Sequence, residues 1–166
     1  MSGSRPVERK IRMSFEVNGE ALTIVVEPRT TLADALREAC GLAGTPHTGG
    51  GECGGSTTVL VDGEPVFASL MFAVQAHGTS VRTVDAPAGD RVLDAVRSAF
   101  KEHGASRSDP SMAGYVMQSV GALERNPDLD DEGVEDLLAG GFSHEGQYDS
   151  VAAAIRTART LAKRAA

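Results

Sequence analysis

The sequence predicts an α+β fold, with a β-rich first part followed by an all-helical second part. Residues 11–85 contain short runs of alternating apolar and polar side chains with one helical stretch, whereas residues 90–166 repeat apolar positions at helical spacing. A Pro/Gly segment at 85–89 separates the two parts and has turn character. We therefore expect a flexible N-terminus over 1–10, a sheet domain over 11–86 and a helical domain over 90–166.

The first predicted element is a β-hairpin. Residues 11–17 alternate apolar and polar side chains, which is the pattern of a half-buried strand. Asn18-Gly19 follows, the strongest short signal for a two-residue hairpin turn. The return strand is predicted at 22–26.

A helix is predicted directly after this hairpin. Thr31 can cap its N-terminus, and Leu32, Leu36 and Cys40 repeat at a four-residue spacing until Gly41 ends the pattern. At this spacing Cys40 is expected to be a small buried apolar residue.

A second hairpin and a closing strand complete the predicted sheet. The hairpin strands are 57–61 and 64–67, which flank the turn residues Asp62-Gly63, and the closing strand is placed at 80–84. A hairpin, a helix and then further strands is the order of elements in a β-grasp domain.

The helical part contains four predicted helices. Asp90 can cap the first, at 91–102, and the second is placed at 111–125. Asp130 begins the third, and Ser150 is expected to cap the fourth. Because each stretch carries an apolar face, a four-helix bundle is the expected packing.

Composition restricts the functions open to the chain. Its 166 residues, 41% hydrophobic and 23% charged, are ordinary for a globular protein with a buried core. A net charge of −7 and an aromatic content of 4% argue against nucleic-acid binding. No apolar run approaches the roughly 20 residues of a membrane helix, and 1–10 lacks the apolar core of a signal peptide. We expect a cytoplasmic protein without membrane contact, with Cys40 and Cys53 as free thiols.

Several strings along the chain match one known family in order. They are Asn18-Gly19-Glu20 with residues 28–32, Leu36-Arg37-Glu38 with residues 41–45, GECGGST at 51–57, VLVDGEPV at 59–66, AFKEHGA at 99–105, and Arg125-Asn126-Pro127 with residues 138–140. Together they resemble the [2Fe–2S] small subunit of the xanthine dehydrogenase and carbon monoxide dehydrogenase family, the molybdenum hydroxylases.

This resemblance implies a fold and an electron path. The family's small subunit has a β-grasp, ferredoxin-like domain followed by a four-helix domain, and each domain holds one [2Fe–2S] cluster. The two clusters carry electrons from the molybdenum site of a large subunit to the flavin of a medium subunit. The resemblance thus implies a large subunit and an FAD-binding medium subunit as partners.

The family's cluster ligands are nearly all missing from this chain. For the first cluster, the C-x4-C-x2-C motif and a later fourth cysteine fall on Thr48 or Gly49, Cys53, Ser56 (or Thr57, because the loop is one residue longer) and Ser69. For the second cluster, the C-x2-C and C-x-C motifs fall on Ser108, Ser111, Ser143 and Glu145. Arg107 stands where the family has a glutamine that helps hold the molybdenum–pterin cofactor of the large subunit.

These substitutions predict that neither cluster is present. Each [2Fe–2S] cluster needs four soft, anionic ligands, and the whole chain contains 2 cysteines. A serine hydroxyl is a poor soft-metal ligand at neutral pH. We therefore expect a structural subunit that transfers no electrons and has no catalytic or metal-binding residue of its own, in a complex that performs altered or non-redox chemistry. Whether the partners keep FAD or molybdopterin is left open.

Other functions of the altered loops stay open as alternatives. The polar residues at the former ligand positions are suited to a ligand pocket in an autonomous enzyme or binding module. The glycines at 49–51 and 54–55 suggest a phosphate loop, but no Lys-Ser/Thr follows them, and a vestige of a cluster loop is the simpler interpretation. His47 with Cys53 could form a zinc site or a nucleophile–base pair, and His144 with Glu145 could bind a hard cation, although neither pair has further ligands at suitable spacing.

Overall fold

The β-rich part forms one mixed five-stranded sheet. The computed structural model describes residues 10–44, 57–105, 111–141 and 146–164. Within these residues the strands are β1 (Ile11–Val17), β2 (Glu20–Val26), β3 (Thr58–Val61), β4 (Glu64–Phe67) and β5 (Ser80–Arg82). Their order in the sheet is β2-β1-β5-β3-β4, with β1 and β5 parallel and the other neighbours antiparallel.

Both predicted hairpin turns are confirmed and both are tied to the central strand region. The backbone has positive φ at each turn residue, namely Asn18, Gly19, Asp62 and Gly63, as a type I′ turn requires. The Asn18 side-chain oxygen accepts a hydrogen bond from the backbone N–H of Thr83 at 2.8 Å. The Asp62 carboxylate accepts one from the backbone N–H of Ser80 at 2.9 Å. Asn18 and Asp62 therefore each belong to their own hairpin turn and also bond to β5 or to the residue directly after it.

Helix α1 (Leu32–Glu38) packs its buried side against the sheet core. The predicted cap is confirmed, because the Thr31 hydroxyl accepts a hydrogen bond from the backbone N–H of Asp34 at 3.1 Å. The predicted position of Cys40 on this helix is wrong. The helix ends at Glu38 and the chain reverses at Gly41, whose φ is +71°, so that Cys40 lies beyond the helix and is half-buried instead of buried.

Three predicted strand boundaries differ from the structure. Strand β2 begins at Glu20 instead of residue 22, because the ladder with β1 continues to the pair Val17–Glu20 next to the turn. Strand β3 begins at Thr58, one residue after the predicted start, and β5 ends at Arg82, two residues before the predicted end. A short 3₁₀ helix, Ala73–Ala76, was not predicted.

The four helices of the second part are α2 (Arg91–Glu102), α3 (Ser111–Arg125), α4 (Asp131–Ala139) and α5 (Tyr148–Arg164). The caps are confirmed at Asp90, which accepts from Leu93 N at 3.0 Å, and at Asp130, which accepts from Gly133 N at 2.9 Å. The predicted cap at Ser150 is wrong, because α5 begins at Tyr148 and Ser150 lies inside its first turn. The apolar faces of these helices enclose one buried cluster that includes Leu93, Met117 and Ile155.

Helix α3 joins the helices to the sheet. A Cβ atom at Gly121 would lie 2.9 Å from Leu60 Cδ2 of β3, so the glycine permits a close approach that a larger residue would prevent. The buried Gln118 side chain donates a hydrogen bond to the Thr58 hydroxyl at 3.1 Å. This packing confirms the α+β architecture, while the proposed domain boundary near residues 86–90 stays a prediction. In the described residues no helix has the length and apolar character needed to cross a membrane.

Candidate functional site

The predicted site residues fall into two groups. Those that lie outside the described residues are Thr48, Gly49, Cys53, Ser56, Arg107, Ser108, Ser143 and Glu145, together with His47 and His144. The structure describes Ser69 and Ser111, together with Thr57, the alternative third position. The geometry of the site is therefore built from these three residues and from the residues that border the loops.

Thr57 and Ser69 form a hydrogen-bonded pair where the β3–β4 hairpin opens. The Thr57 hydroxyl donates to the Ser69 hydroxyl at 2.8 Å, and the backbone N–H of Ser69 donates to Thr57 Oγ1 at 3.2 Å. The backbone N–H of Ala68 also donates to the Thr57 carbonyl at 3.0 Å. Thr57 is only 1% exposed. Two hydroxyl groups are thus held together at Ser69, the predicted fourth position, and at Thr57, the alternative to Ser56 for the third position.

The choice between Ser56 and Thr57 as the third position stays open, because Ser56 lies outside the described residues. The assignments of Thr48 or Gly49 and of Cys53 lie outside the described residues and stay predictions.

Asp85 holds Gly44, the last described residue before the segment 45–56 that carries predicted positions of the first cluster. Both carboxylate oxygens of Asp85 accept the backbone N–H of Gly44, at 3.0 and 2.9 Å. Sequence reasoning placed Asp85 only in a linker, since its partner is 41 positions away and no local pattern connects the two. A pattern within the linker could not have identified this contact.

Ser111 and Gly141 lie next to the two segments, 106–110 and 142–145, that carry the other predicted positions of the second cluster. Gly141 lies against the ring of Tyr115, so close that an added Cβ atom would overlap the ring. Tyr115 is 1% exposed and donates its hydroxyl to the Leu138 carbonyl at 3.4 Å. Ser111 begins α3 as described and is also 1% exposed. Sequence reasoning identified Tyr115 only as a residue of the apolar helix face.

Cys40 lies apart from these positions, at the end of α1. Within the described residues it is the one cysteine, and it is half-buried against the core of the sheet. Burial raises the pKa of the Cys40 thiol. A raised pKa lowers the fraction of thiolate at neutral pH, which makes Cys40 a poor nucleophile and a poor metal ligand.

We expect Cys40 to react slowly with thiol reagents. In a Cys53→Ser variant, iodoacetamide at pH 7.5 should modify Cys40 more slowly than it modifies a free cysteine peptide, because less thiolate is present. The rate, followed by mass spectrometry, should approach that of the peptide when urea unfolds the protein. Equal rates in the native protein and the peptide would contradict a desolvated thiol.

The Thr57–Ser69 hydrogen bond is expected to contribute about 1 kcal/mol to stability. A double-mutant cycle with Thr57→Val, Ser69→Ala and the double variant, measured by urea unfolding, should give a coupling free energy of that size. The cycle supplies its own control, because losses unrelated to the pair cancel. Additive effects of the two single substitutions would show that the contact is energetically unimportant.

The described residues do not fit the [2Fe–2S] clusters that the resemblance implies. Ser69, the predicted fourth position of the first site, carries a hydroxyl group that bonds to that of Thr57, the alternative third position, and Ser111, predicted for the second site, also carries a hydroxyl group. Such neutral oxygen donors do not replace the soft thiolates that hold these clusters. In the part of the chain that is described, no group of three or more His, Cys, Asp or Glu side chains is arranged to hold a metal ion.

Comparison with known proteins supports the family resemblance. No family model matches the chain. The nicotinate dehydrogenase small FeS subunit of Eubacterium barkeri is 33% identical over 150 residues, which cover 90% of this chain and 95% of that protein. The caffeine dehydrogenase subunit gamma of Pseudomonas sp. strain CBB1 is 37% identical over 150 residues, which cover 87% of this chain and 89% of that protein.

Solved structures agree with these relatives. A chain of quinoline 2-oxidoreductase from Pseudomonas putida 86 matches with a TM-score of 0.82 and 34% identity, covering 93% of this chain and 97% of that one. Fold, identity and near-complete mutual coverage therefore agree along almost the whole sequence. The chain belongs to the iron–sulfur small-subunit family of the molybdenum hydroxylases.

Proposed function

We propose that this chain is a cluster-free structural subunit of a molybdenum-hydroxylase-type complex and transfers no electrons. Its partners are a large subunit and an FAD-binding medium subunit of that family. The complex performs chemistry that needs no electron relay through this chain, either a non-redox conversion or an oxidation in which flavin meets the substrate directly.

The shortage of thiolates is the observation that carries this proposal. Two clusters need eight thiolates, and the chain has 2 cysteines. One of them, Cys40, lies at no ligand position, and its thiol pKa is raised by burial. Ser69, the predicted fourth ligand position, carries a hydroxyl group that accepts a hydrogen bond from Thr57, the alternative third position.

The maintained fold supports a structural role. Both type I′ turns and the helix caps at Thr31, Asp90 and Asp130 are present, so the sequence still specifies the family architecture at each local level. Bound metal clusters contribute to folding free energy. A cluster-free chain needs other contacts to hold the same shape, and hydrogen bonds join Thr57 to Ser69 and Gly44 to Asp85. A preserved shape without the redox groups is what a scaffold for partner subunits requires.

Co-expression with the neighbouring large- and medium-subunit homologues tests the proposal. The complex is purified anaerobically through a tag on this chain, and iron, molybdenum and flavin are measured per copy. We expect a stable complex with no iron on this chain. The small FeS subunit of the Eubacterium barkeri nicotinate dehydrogenase, prepared in parallel with its own partners, is the control for iron retention.

Each other outcome points to a different error. Stoichiometric iron on this chain would overturn the absence of clusters. No complex with either partner would overturn the subunit role. Turnover or specific ligand binding by the isolated chain would favour the alternative, an autonomous enzyme or binding module that uses the polar residues of the former cluster loops.

A further inference from the structure

A groove lies between the sheet edge and the helices in the described part of the chain. Its cavity of about 200 Å³ lies between strand β4 and helices α3 and α4. The walls are mostly apolar, formed by Pro65, Val66, Phe67 and Leu137. Phe67 is 37% exposed although its large ring favours burial. We refer to this cavity as the strand–helix groove.

The floor and the rim of the groove are polar. Thr58 and Gln118 lie at the floor, both less than 8% exposed, and are joined by the hydrogen bond of 3.1 Å. Asp136 lies at the rim, is exposed, and has no ion-pair partner within the described residues. An apolar slot is thus bordered by negative charge on one side.

The size and the strand edge restrict what can occupy the groove. Cavities for drug-sized ligands run from about 300 to 1,000 Å³, so this one suits a side chain better than a free ligand. β4 is an edge strand, but Pro65 has no N–H to offer, which disfavours addition of a further strand. An occupant therefore enters through side chains instead of through backbone pairing.

We propose that the strand–helix groove is a docking site for a partner subunit of the complex, which inserts one large apolar side chain and places an adjacent Lys or Arg against Asp136. Charge complementarity carries this choice of occupant. The chain has a net charge of −7 and the rim is acidic, so a second copy of the chain would be repelled whereas a basic segment is attracted. The inference rests on the proposed function, because it identifies where the partner binds.

Two substitutions test the groove without disturbing the fold. Gly140 lines the groove and has φ −76° and ψ −10°, a conformation open to any residue, and an added Cβ makes only ordinary contacts with its neighbours. Gly140→Trp therefore fills the groove. Asp136→Lys reverses the charge of the rim, and Glu135→Lys, on the same helix but outside the groove lining, is the matched control.

The affinity of the full chain for the purified large–medium subunit pair is measured by biolayer interferometry. We expect Gly140→Trp and Asp136→Lys to weaken binding at least about tenfold, which is about 1.4 kcal/mol, while Glu135→Lys changes it less than about twofold. Thermal unfolding of all three variants should match that of the wild-type chain.

The outcomes separate this inference from the proposed function. If the wild-type chain binds its partners and both groove variants bind equally well, the docking site is wrong and the subunit role stands. If the wild-type chain does not bind them, both are wrong. A wild-type homodimer that Gly140→Trp dissociates would identify a second copy as the occupant and overturn the proposal, as would equal losses for Asp136→Lys and Glu135→Lys.

Discussion

Replacing Arg97 with Met is expected to lower the free energy of unfolding by about 3 kcal/mol. The Arg97 guanidinium donates to the Val84 carbonyl at 2.5 Å and to the Ala86 carbonyl at 2.6 Å. It also pairs with Asp94 at 3.3 Å. Hydrogen bonds from a charged group contribute roughly 1.5–3 kcal/mol each, and two bonds that share one guanidinium are less than additive.

The effect is large because of where Arg97 acts. Arg97 lies on α2 and bonds to the segment that connects the sheet to this helix. Methionine keeps an apolar stem of similar length, so that the loss reports the hydrogen bonds and not the packing. The Arg97 side chain is 28% exposed, which leaves part of the guanidinium accessible to water and limits the loss of free energy on substitution.

Arg91 offers a matched control on the same helix. Its side chain is exposed, and Arg91→Met should change the free energy of unfolding by less than about 0.5 kcal/mol. Urea unfolding followed by circular dichroism measures both variants. A loss below about 1 kcal/mol for Arg97→Met, or equal losses for the two variants, would show that the connection is held by other contacts.

Local signals explain why much of the fold could be predicted. Asn18-Gly19 specifies a type I′ turn within two residues, and Thr31 and Asp90 cap helices within three positions of themselves. Ser150 failed as a cap although it is an equally good capping residue. The chain turns at Gly146, whose φ is +67°, and the helix has already begun by Tyr148.

Contacts between distant residues could not be predicted in this way. The hydrogen bonds from the Gly44 N–H to Asp85 and from Arg97 to the carbonyls of 84 and 86 depend on how the sheet and the helices pack together. No periodicity or cap motif in the sequence specifies how the sheet packs against the helices. The segment at 85–89 has the composition of a loose linker, yet contacts from two sides fix its beginning.

The positions of the candidate site stay predictions that rest on the family strings. Collinear family strings predict which residues stand at the ligand positions, because such strings do not depend on the ligands themselves. They did not distinguish Ser56 from Thr57, since an extra residue in a glycine-rich loop can be assigned to several places. The contact between Thr57 and Ser69, across the open end of the hairpin, does not decide between them, because Ser56 lies outside the described residues.

Gly141→Ala is expected to destabilise the protein by about 2 kcal/mol. An added Cβ atom would overlap the ring of Tyr115, which is 1% exposed and enclosed by the helical core. A close-packed interior has no space into which the ring can move, so either the ring or the backbone before residues 142–145 must be displaced. Gly141→Ala therefore lowers the free energy of unfolding more than the same substitution at a surface glycine would.

Two controls isolate the overlap between Gly141 and Tyr115. Gly140→Ala, one residue earlier, meets only ordinary contacts and should stay within about 0.5 kcal/mol of the wild-type chain. In a Tyr115→Leu background, where the ring is absent, the additional cost of Gly141→Ala should fall to about 0.5 kcal/mol or less. Chemical unfolding of the four variants measures these differences. If Gly141→Ala lowers the free energy of unfolding as much without the ring as with it, Gly141 is required for its backbone conformation. The Tyr115 ring would then not be what requires a glycine at residue 141.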